Sequence, residues 1–273
     1  MTSQQGLIPR PAPDRVNPTM IRFNSWDGDT EMPYLSSIPI NPLRRGAQRL
    51  ITNRQRMHAA ILGGVAVQPM KERVLWRLDT AQHSSHVLVL TQSRPNWDHL
   101  VEQAGWPGAD GGSPRIADYS PVLAMLVKGR RFSFRATLNT VSSSHSPIAP
   151  SSTQKRRLEA PSGQALHLGE RSAPNQFSWF LRRAADDHDQ WGFTVGSSEA
   201  PSVRIVERGH ERFSRRRGQP PVSLDVATFE GELEVTEPGV MTRTLLAGIG
   251  KAKAYGCGLV TLAPSGGSDV VAG

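Results

Sequence analysis

The sequence predicts an α+β protein made of two tandem ferredoxin-like (RRM-like, β-α-β-β-α-β) domains. The first observation is that a strand–helix–strand–strand–helix–strand order of hydrophobic patterns occurs twice along the chain. The second is the length of 273 residues, which suits two domains of about 100 residues plus extensions. This fold hosts many functions, so the function must be argued from particular residues.

The first unit begins with "YLSSIPIN", whose apolar residues alternate as they do in a strand. Residues 43–62 then carry apolar residues at helical spacing, and two strand patterns follow, "RVLWRLD" and "HVLVLTQS". A short helix at "WDHLVEQAG" and a fourth strand at "PVLAMLV" complete the predicted unit.

The second unit opens with the strand "RRFSFRATLNT", in which Phe132, Phe134, Ala136 and Leu138 alternate with polar residues. A helix at "FSWFLRRAADD" leads to the strand "SVRIVER" and then to "PVSLDVATFEGELEV", a longer strand or a bulged pair. The helix "VMTRTLLAGI" and the strand "CGLVTLA" close the unit.

These patterns divide the chain into an N-terminal domain over residues 32–128 and a C-terminal domain over residues 129–264. Residues 1–31 are rich in Pro, Asn, Asp and Gln and predict a flexible N-terminal extension. Residues 142–175 are rich in Ser and Pro and predict a long polar insertion in the second domain, and residues 265–273 form a tail.

The charge balance favours a polyanionic partner. The chain has 32 Lys and Arg against 24 Asp and Glu, a net charge of +8, and nucleic acid is the commonest polyanion that such proteins bind. On charge alone, a basic soluble protein without such a partner is the alternative. The single cysteine permits no intrachain disulfide, which suits a reducing, cytoplasmic setting. The sequence has neither a membrane-spanning apolar run nor the apolar core of a signal peptide.

Neither a metal site nor a cofactor is expected. The sequence contains no HExxH motif, no paired CxxC and no carboxylate cluster. The glycine-rich run at residues 248–258 satisfies neither the Walker motif nor the dinucleotide fingerprint. It also follows a predicted helix, whereas a phosphate-binding loop follows a strand and opens a helix. Its lysines, Lys251 and Lys253, must therefore serve another purpose.

The predicted helix at residues 43–62 has two faces that differ from a plain amphipathic design. Three arginines fall opposite the apolar stripe, where they hold phosphates or form an ordinary solvated face: Arg45, Arg49 and Arg56. Arg54 and His58 lie one turn apart within the stripe, where cationic groups need buried partners or a cleft. His58 is thus a candidate catalytic residue, and a satisfied core histidine is the alternative.

A second basic concentration lies between two predicted strands of the second domain. It contains five arginines: Arg208, Arg212, Arg215, Arg216 and Arg217. Within residues 208–217 only Glu211 offsets them, so they repel one another unless a polyanion neutralises them. A hairpin that binds nucleic acid is the favoured interpretation, and a solvated tip is the alternative.

The chain resembles the CRISPR-associated repeat-processing endoribonucleases of type I-E systems, the CasE subunit of the Cascade complex. The resemblance is carried by "YLSSIPINP", by the helix histidine in "MHAAIL", and by "LWRLD", "FSFRATLN" and "SWFLRRAADDHDQWGF". The C-terminal stretch "FEGELEVTEPGVMTRTLLAGIGKAKAYGCGLVTLA" carries most weight, because both its spacing and its glycines match. The resemblance extends over roughly residues 33–264.

The resemblance implies a metal-independent cut in precursor CRISPR RNA at the base of each repeat hairpin, by attack of a 2′-hydroxyl. The products would be a 2′,3′-cyclic phosphate and a 5′-hydroxyl. His58 would be the proton shuttle, and Lys251 and Lys253 would stabilise the charged phosphorane. Four glycines would bring these lysines against the RNA backbone: Gly248, Gly250, Gly256 and Gly258. The implied partners are the repeat RNA, before and after cutting, and other Cascade subunits.

One departure concerns the tyrosine that family members often carry one turn before the histidine. Gln55 occupies that position here, and an amide cannot act as an acid or a base. Tyr34 or Tyr255 could replace the missing hydroxyl, or His58 could work with a lysine alone. Two other functions stay open: a non-catalytic RNA-binding subunit of the same kind of ribonucleoprotein, and an unrelated binder of acidic ligands.

Overall fold

The computed structural model contains two antiparallel β-sheets that share one strand order. It describes residues 32–66, 72–81, 84–144, 166–185, 191–197, 199–213 and 221–265. The first sheet has the order β2-β3-β1-β4. Its elements are β1 Tyr34–Ile40, α1 Arg45–Ile51, α2 Arg54–Leu62, β2 Leu75–Ala81, β3 Ser84–Thr91, α3 Asp98–Ala104, β4 Arg115–Asp118 and the short helix α4 Ser120–Ala124.

The second sheet repeats this arrangement. Its elements are β5 Arg131–Asn139, β6 Val141–Ser144, β7 Leu166–Gly169, α5 Ala173–Ala185, β8 Phe193–Thr194, β9 Val203–Phe213, β10 Val222–Val235, α6 Pro238–Ala247, a 3₁₀ turn at Lys253–Tyr255 and β11 Val260–Pro264. The strands β9, β10, β5 and β11 are neighbours in that order, and β8 adds to β10. The predicted tandem ferredoxin-like fold is confirmed.

Two predicted elements of the first unit are wrong in detail. The helix predicted over residues 43–62 is two helices, because the chain breaks at Thr52 and the Asn53 side chain caps α2 by accepting a hydrogen bond from the Arg56 N–H. The segment "PVLAMLV" is not a strand. The Asp118 carboxylate accepts from the Ser120 N–H, and Pro121 occupies the first turn of α4, so the chain turns into a helix there.

The basic segment and the polar insertion also differ from expectation. Arg208 and Arg212 lie within β9 rather than in a connection, because β9 continues to Phe213. Arg215, Arg216 and Arg217 lie outside the described residues. The predicted insertion has ordered ends, since β6 pairs with β7 and α5 begins at Ala173, while residues 145–165 lie outside the description, as do residues 1–31 and 266–273.

The protein has two main cores, and the larger one, under the second sheet, also takes in Leu75 and Leu90 of the first sheet. Between the first sheet and α1–α3, Ile38, Val87, Val89 and Trp76 are at most 1 % exposed. Between the second sheet and α5–α6, aromatic rings dominate, with the centroids of Phe180 and Phe229 4.4 Å apart. No helix of the described part is long and apolar enough to cross a membrane.

Candidate active site

His58 lies on α2 with one ring nitrogen buried. The neighbouring Met57 and Ile61, 1 % and 0 % exposed, anchor the helix to the first core and so fix its rotation. Among the described residues, the buried Nδ1 of His58 has no hydrogen-bond partner. Burial lowers the pKa of His58 below its ordinary value of 6.5. A neutral imidazole can accept a proton, and because Nδ1 is buried, the nitrogen that has to meet a ligand is Nε2.

Arg54, one turn before His58, joins three elements. Its Nε and Nη2 donate to the two carboxylate oxygens of Glu211 on β9, at 2.5 and 2.6 Å. Its Nη1 donates to the carbonyl oxygen of Tyr255 in the glycine-rich run, at 2.7 Å. Burial alone would lower the pKa of Arg54, but the hydrogen bonds and charge of Glu211 raise it. The buried partner that the sequence predicted for the cationic Arg54 in the apolar stripe is thus a carboxylate, 157 residues further along the chain.

The glycine-rich run forms a tight loop against α2 and β2. Its ends are joined because the Ile249 N–H donates to the Gly258 carbonyl oxygen at 2.9 Å. All four of its predicted glycines have positive φ angles, between 71° and 95°. At Gly256 a side chain is also sterically excluded: a Cβ there would lie 2.7 Å from the Trp76 ring and 3.0 Å from the Arg54 guanidinium. The backbone of the loop at Gly256 therefore lies directly against β2 and the Arg54 side chain of α2.

The two lysines occupy different parts of this loop. Lys253 opens the 3₁₀ turn that packs against α2 and β2, and it is half-buried. Burial and the nearby Arg73 lower the pKa of Lys253. Lys251 is exposed, and its backbone pairs with Asn139 at the end of β5; burial and Arg183 lower its pKa. The structure thus packs the turn of Lys253 against the His58 helix and places Lys251 at the end of the second sheet.

The two tyrosines that could replace the missing hydroxyl lie in different environments. Tyr255 follows Lys253 in the turn but is 8 % exposed, and its ring meets the edge of Phe213 at a centroid distance of 4.9 Å. Tyr34 begins β1, where the guanidinium of Arg94 lies 5.9 Å from its ring. Cys257 is fully buried, and burial raises the pKa of its thiol to about 12, so it cannot serve as a nucleophile.

The arginines predicted to hold RNA are divided among separate surfaces. Arg45 and Arg49 are exposed on α1, and Arg56 is exposed on α2, beyond the helix break. Arg208 is exposed on β9, but its Nε donates to the Gln176 side chain at 2.7 Å. Arg212 is exposed on the same strand. In the described part of the chain, no group of three or more His, Cys, Asp or Glu side chains is arranged to hold a metal ion.

Comparisons with known proteins connect this geometry to one family. A family model described as CRISPR associated protein matches residues 33–264. The CRISPR-associated endoribonuclease Cse3 of Thermus thermophilus is 28 % identical over 240 residues, which is 85 % of this chain and all of that protein. The structure of Thermus thermophilus Cse3 bound to an RNA representing a pre-cleavage complex is similar at 26 % identity, with a TM-score of 0.62 over 85 % of this chain and 100 % of the other.

A more distant structure shares the fold alone. It is a chain of a CRISPR RNA-guided surveillance complex in a pre-nicking state, 20 % identical, with a TM-score of 0.53 over 85 % of this chain and 99 % of the other. Together with the family match, these similarities confirm the resemblance that the sequence motifs indicated.

Proposed function

Because the chain belongs to the family of CRISPR-associated proteins, we propose that it is a metal-independent endoribonuclease that cuts precursor CRISPR RNA at the base of each repeat hairpin. The observation that carries this proposal is the half-buried His58, whose pKa burial lowers, on a helix against which the Lys253 turn packs. The similarity to a Cse3 endoribonuclease over that protein's full length supports an RNA substrate.

In the proposed mechanism, neutral His58 accepts the proton of the 2′-hydroxyl that precedes the scissile bond. The 2′-oxygen attacks the phosphorus, and the bond between phosphorus and the 5′-oxygen breaks. The products are a 2′,3′-cyclic phosphate and a 5′-hydroxyl. The lowered pKa of Lys253 makes its ammonium group a better acid, so we assign it to protonate the leaving 5′-oxygen. Lys251 stabilises the charged phosphorane.

Metal independence follows in this proposal from the side chains available. Proton acceptance, proton donation and charge stabilisation each have a named residue, so no cofactor is assigned.

The proposed partners are the repeat RNA hairpin and other Cascade subunits, in the cytoplasm. We expect the cut RNA to stay bound, because contacts to the stem do not depend on the scissile bond. Binding measured with and without a cleaved bond checks this.

The test is single-turnover cleavage of a labelled repeat RNA, with and without excess EDTA. We expect wild-type protein to cut once per repeat in both conditions. His58→Ala should slow the cut by about 10²- to 10⁴-fold while hairpin affinity stays within a few-fold. A variant that cuts at the wild-type rate would remove His58 from the mechanism, and loss of cutting in EDTA that Mg²⁺ restores would contradict metal independence.

The pH profile provides a second measurement on His58. A general base acts in its neutral form, and the lowered pKa keeps His58 neutral to lower pH than an exposed histidine. The acidic limb of the cleavage rate should therefore lie below pH 6.5. The same shift means that the unfolded state binds this proton more readily, so the free energy of unfolding falls as pH drops from the ordinary value of 6.5 through the lowered pKa of the folded state. An acidic limb above 6.5 would argue that another group is the base.

The alternative is a non-catalytic RNA-binding subunit of the same kind of ribonucleoprotein. Gln55 favours it, because the family hydroxyl is absent one turn before His58. In that case the wild-type protein binds the repeat hairpin tightly and leaves it uncut under all conditions of the cleavage assay.

A further inference from the structure

A second group of polar residues lies on the face of β9 that is turned away from α2. Arg208, His210 and Arg212 are spaced two residues apart, so their side chains lie on one face of the strand, roughly 7 Å from one to the next. Glu211 faces the opposite side, where it binds Arg54. Across the ladder, His210 stands directly opposite Asp225 of β10. Residues opposite each other in an antiparallel pair share a face.

His210 and Asp225 form a dyad. The Nδ1 of His210 lies 2.6 Å from the Oδ1 of Asp225. Because a carboxylate can only accept a hydrogen bond here, Nδ1 must carry the proton and donate it. The Asp225 side chain is 8 % exposed, whereas that of His210 is 44 % exposed. The nitrogen that does not meet Asp225, Nε2, is therefore the one available to a ligand.

Asp225 is held through its backbone, and its carboxylate is closely enclosed. Its backbone N–H donates to the Asn139 side chain at 3.1 Å. The β7 strand passes so close that a Cβ on Gly169 would lie 1.6 Å from an oxygen of Asp225, which leaves room only for glycine. A buried carboxylate fixed in this way orients the histidine ring rather than following it.

Arginines surround the dyad. The Nε of Arg171, just before α5, lies 3.5 Å from the Oδ1 of Asp225, yet the Arg171 side chain is 72 % exposed. Arg208 donates to the backbone carbonyl oxygen of Arg171 at 2.6 Å and to Gln176. Arg212 continues the row along β9. Arg171 thus faces the carboxylate directly. The exposed Arg208 and Arg212 lie beside His210 on the same face of β9, which leaves positive charge at the exposed rim of the dyad.

A bond that only satisfied the buried Asp225 would not require this surplus. One cationic partner would balance the charge of the carboxylate. Exposed arginines nevertheless lie on both sides of the dyad, on β9 and just before α5. Their spacing along an extended strand suits an extended, regularly charged ligand rather than a small anion. The exposed Nε2 adds a group that donates to a phosphate when the ring is charged and accepts from a 2′-hydroxyl when it is neutral.

We propose that Arg171, Arg208, His210 and Arg212 form a binding site for the sugar–phosphate backbone of the RNA, on the side of β9 opposite the catalytic helix. Asp225 is the positioning residue that fixes the ring of His210. An RNA backbone alternates phosphates with 2′-hydroxyls, and so supplies both groups that this site can bind. The inference rests on RNA as the substrate of the proposed function and extends the RNA contact around the edge of the second sheet.

The experiment measures the affinity of the full chain for repeat RNA that carries a 2′-deoxy group at the cleavage position, as a function of salt. Arg171→Gln should make the log–log salt slope shallower by about 0.7 to 0.9, the value of one phosphate contact. His210→Gln should weaken binding about two- to tenfold, as the loss of one hydrogen bond predicts. Ethylation interference should lose its signal at one phosphate in Arg171→Gln.

The matched control is Arg131→Gln, since Arg131 is 68 % exposed and also pairs with a carboxylate, that of Glu234. It should keep both the affinity and the slope. Wild-type values in Arg171→Gln and His210→Gln, or equal losses in the control, would overturn the site. Cleavable RNA assayed in parallel separates the two proposals: wild-type protein that binds but does not cut contradicts only the proposed function, and wild-type protein that binds no RNA contradicts both.

Discussion

Arg54 and His58 share one helix face, but the structure gives them different environments. The sequence predicted that both needed a cleft or buried partners, and this holds for Arg54 through Glu211 and Tyr255. The sequence alone does not identify Glu211 as the partner of Arg54. In the sequence, Glu211 is only the one negative charge within an arginine-rich segment. Three of the five N–H donors of Arg54 are used inside the protein. This guanidinium therefore links α2, β9 and the glycine-rich loop.

Glu211→Gln tests that link. The amide keeps the size of the side chain but removes its charge, so one strong hydrogen bond to Arg54 is lost. Hydrogen bonds to charged groups are worth about 1.5–3 kcal/mol, and we expect the cleavage rate to fall about tenfold while RNA affinity holds. Glu234→Gln is the control, because Glu234 is similarly exposed, at 39 % against 37 %, and also binds an arginine. Equal rates for the two variants would show that the link does not position His58.

At the scale of elements, periodicity located most helices and strands but not their interruptions. The helix at residues 43–62 was predicted as continuous because its apolar spacing runs past Thr52, where a capping asparagine starts a new helix. The strand β4 is made of "RIAD", which has one half-buried apolar residue and no clear alternation to detect. The positive φ of Ala252 in the glycine-rich loop, 67°, was also beyond sequence reasoning.

The glycine-rich loop yields a prediction that separates backbone strain from steric exclusion. Gly250 and Gly256 have nearly equal φ angles, 71° and 72°. The left-handed backbone therefore destabilises an alanine at either position by about 1–2 kcal/mol. A Cβ on Gly250 meets open space, whereas one on Gly256 meets the buried Trp76 ring. Gly256→Ala should therefore lower the free energy of unfolding in urea by about 1–3 kcal/mol more than Gly250→Ala does. Equal losses in the two variants would mean that Trp76 does not constrain the loop.

At the scale of the whole molecule, the two ferredoxin-like units are held together by a polar joint that no local pattern reveals. Arg77 of β2 is 2 % exposed and binds Asp79 through two hydrogen bonds, at 2.6 and 2.8 Å. It also donates to the Arg135 carbonyl oxygen of β5 at 2.6 Å and to the Thr261 hydroxyl of β11 at 2.8 Å. The sequence predicted the strand "RVLWRLD" but not that its arginine crosses to the second sheet, because its partners are 58 and 184 residues away.

Arg77→Met should consequently weaken the whole molecule rather than one sheet. Methionine fills similar space but leaves Asp79 and two acceptors of the second sheet without their donor. Breaking a buried pair costs about 3–5 kcal/mol. We expect a loss at the lower end of this range, because Asp79 is 27 % exposed and retains Arg135, whose Nε lies 3.5 Å away.

The control is Arg131→Met, which breaks the exposed pair with Glu234 and should change the free energy of unfolding by about 0.5 kcal/mol or less. Urea unfolding followed by far-UV circular dichroism, which reports on the whole chain, measures the free energy of unfolding of both variants. Two separate unfolding transitions in Arg77→Met, or a loss no larger than that of the control, would show that the two sheets do not depend on this joint.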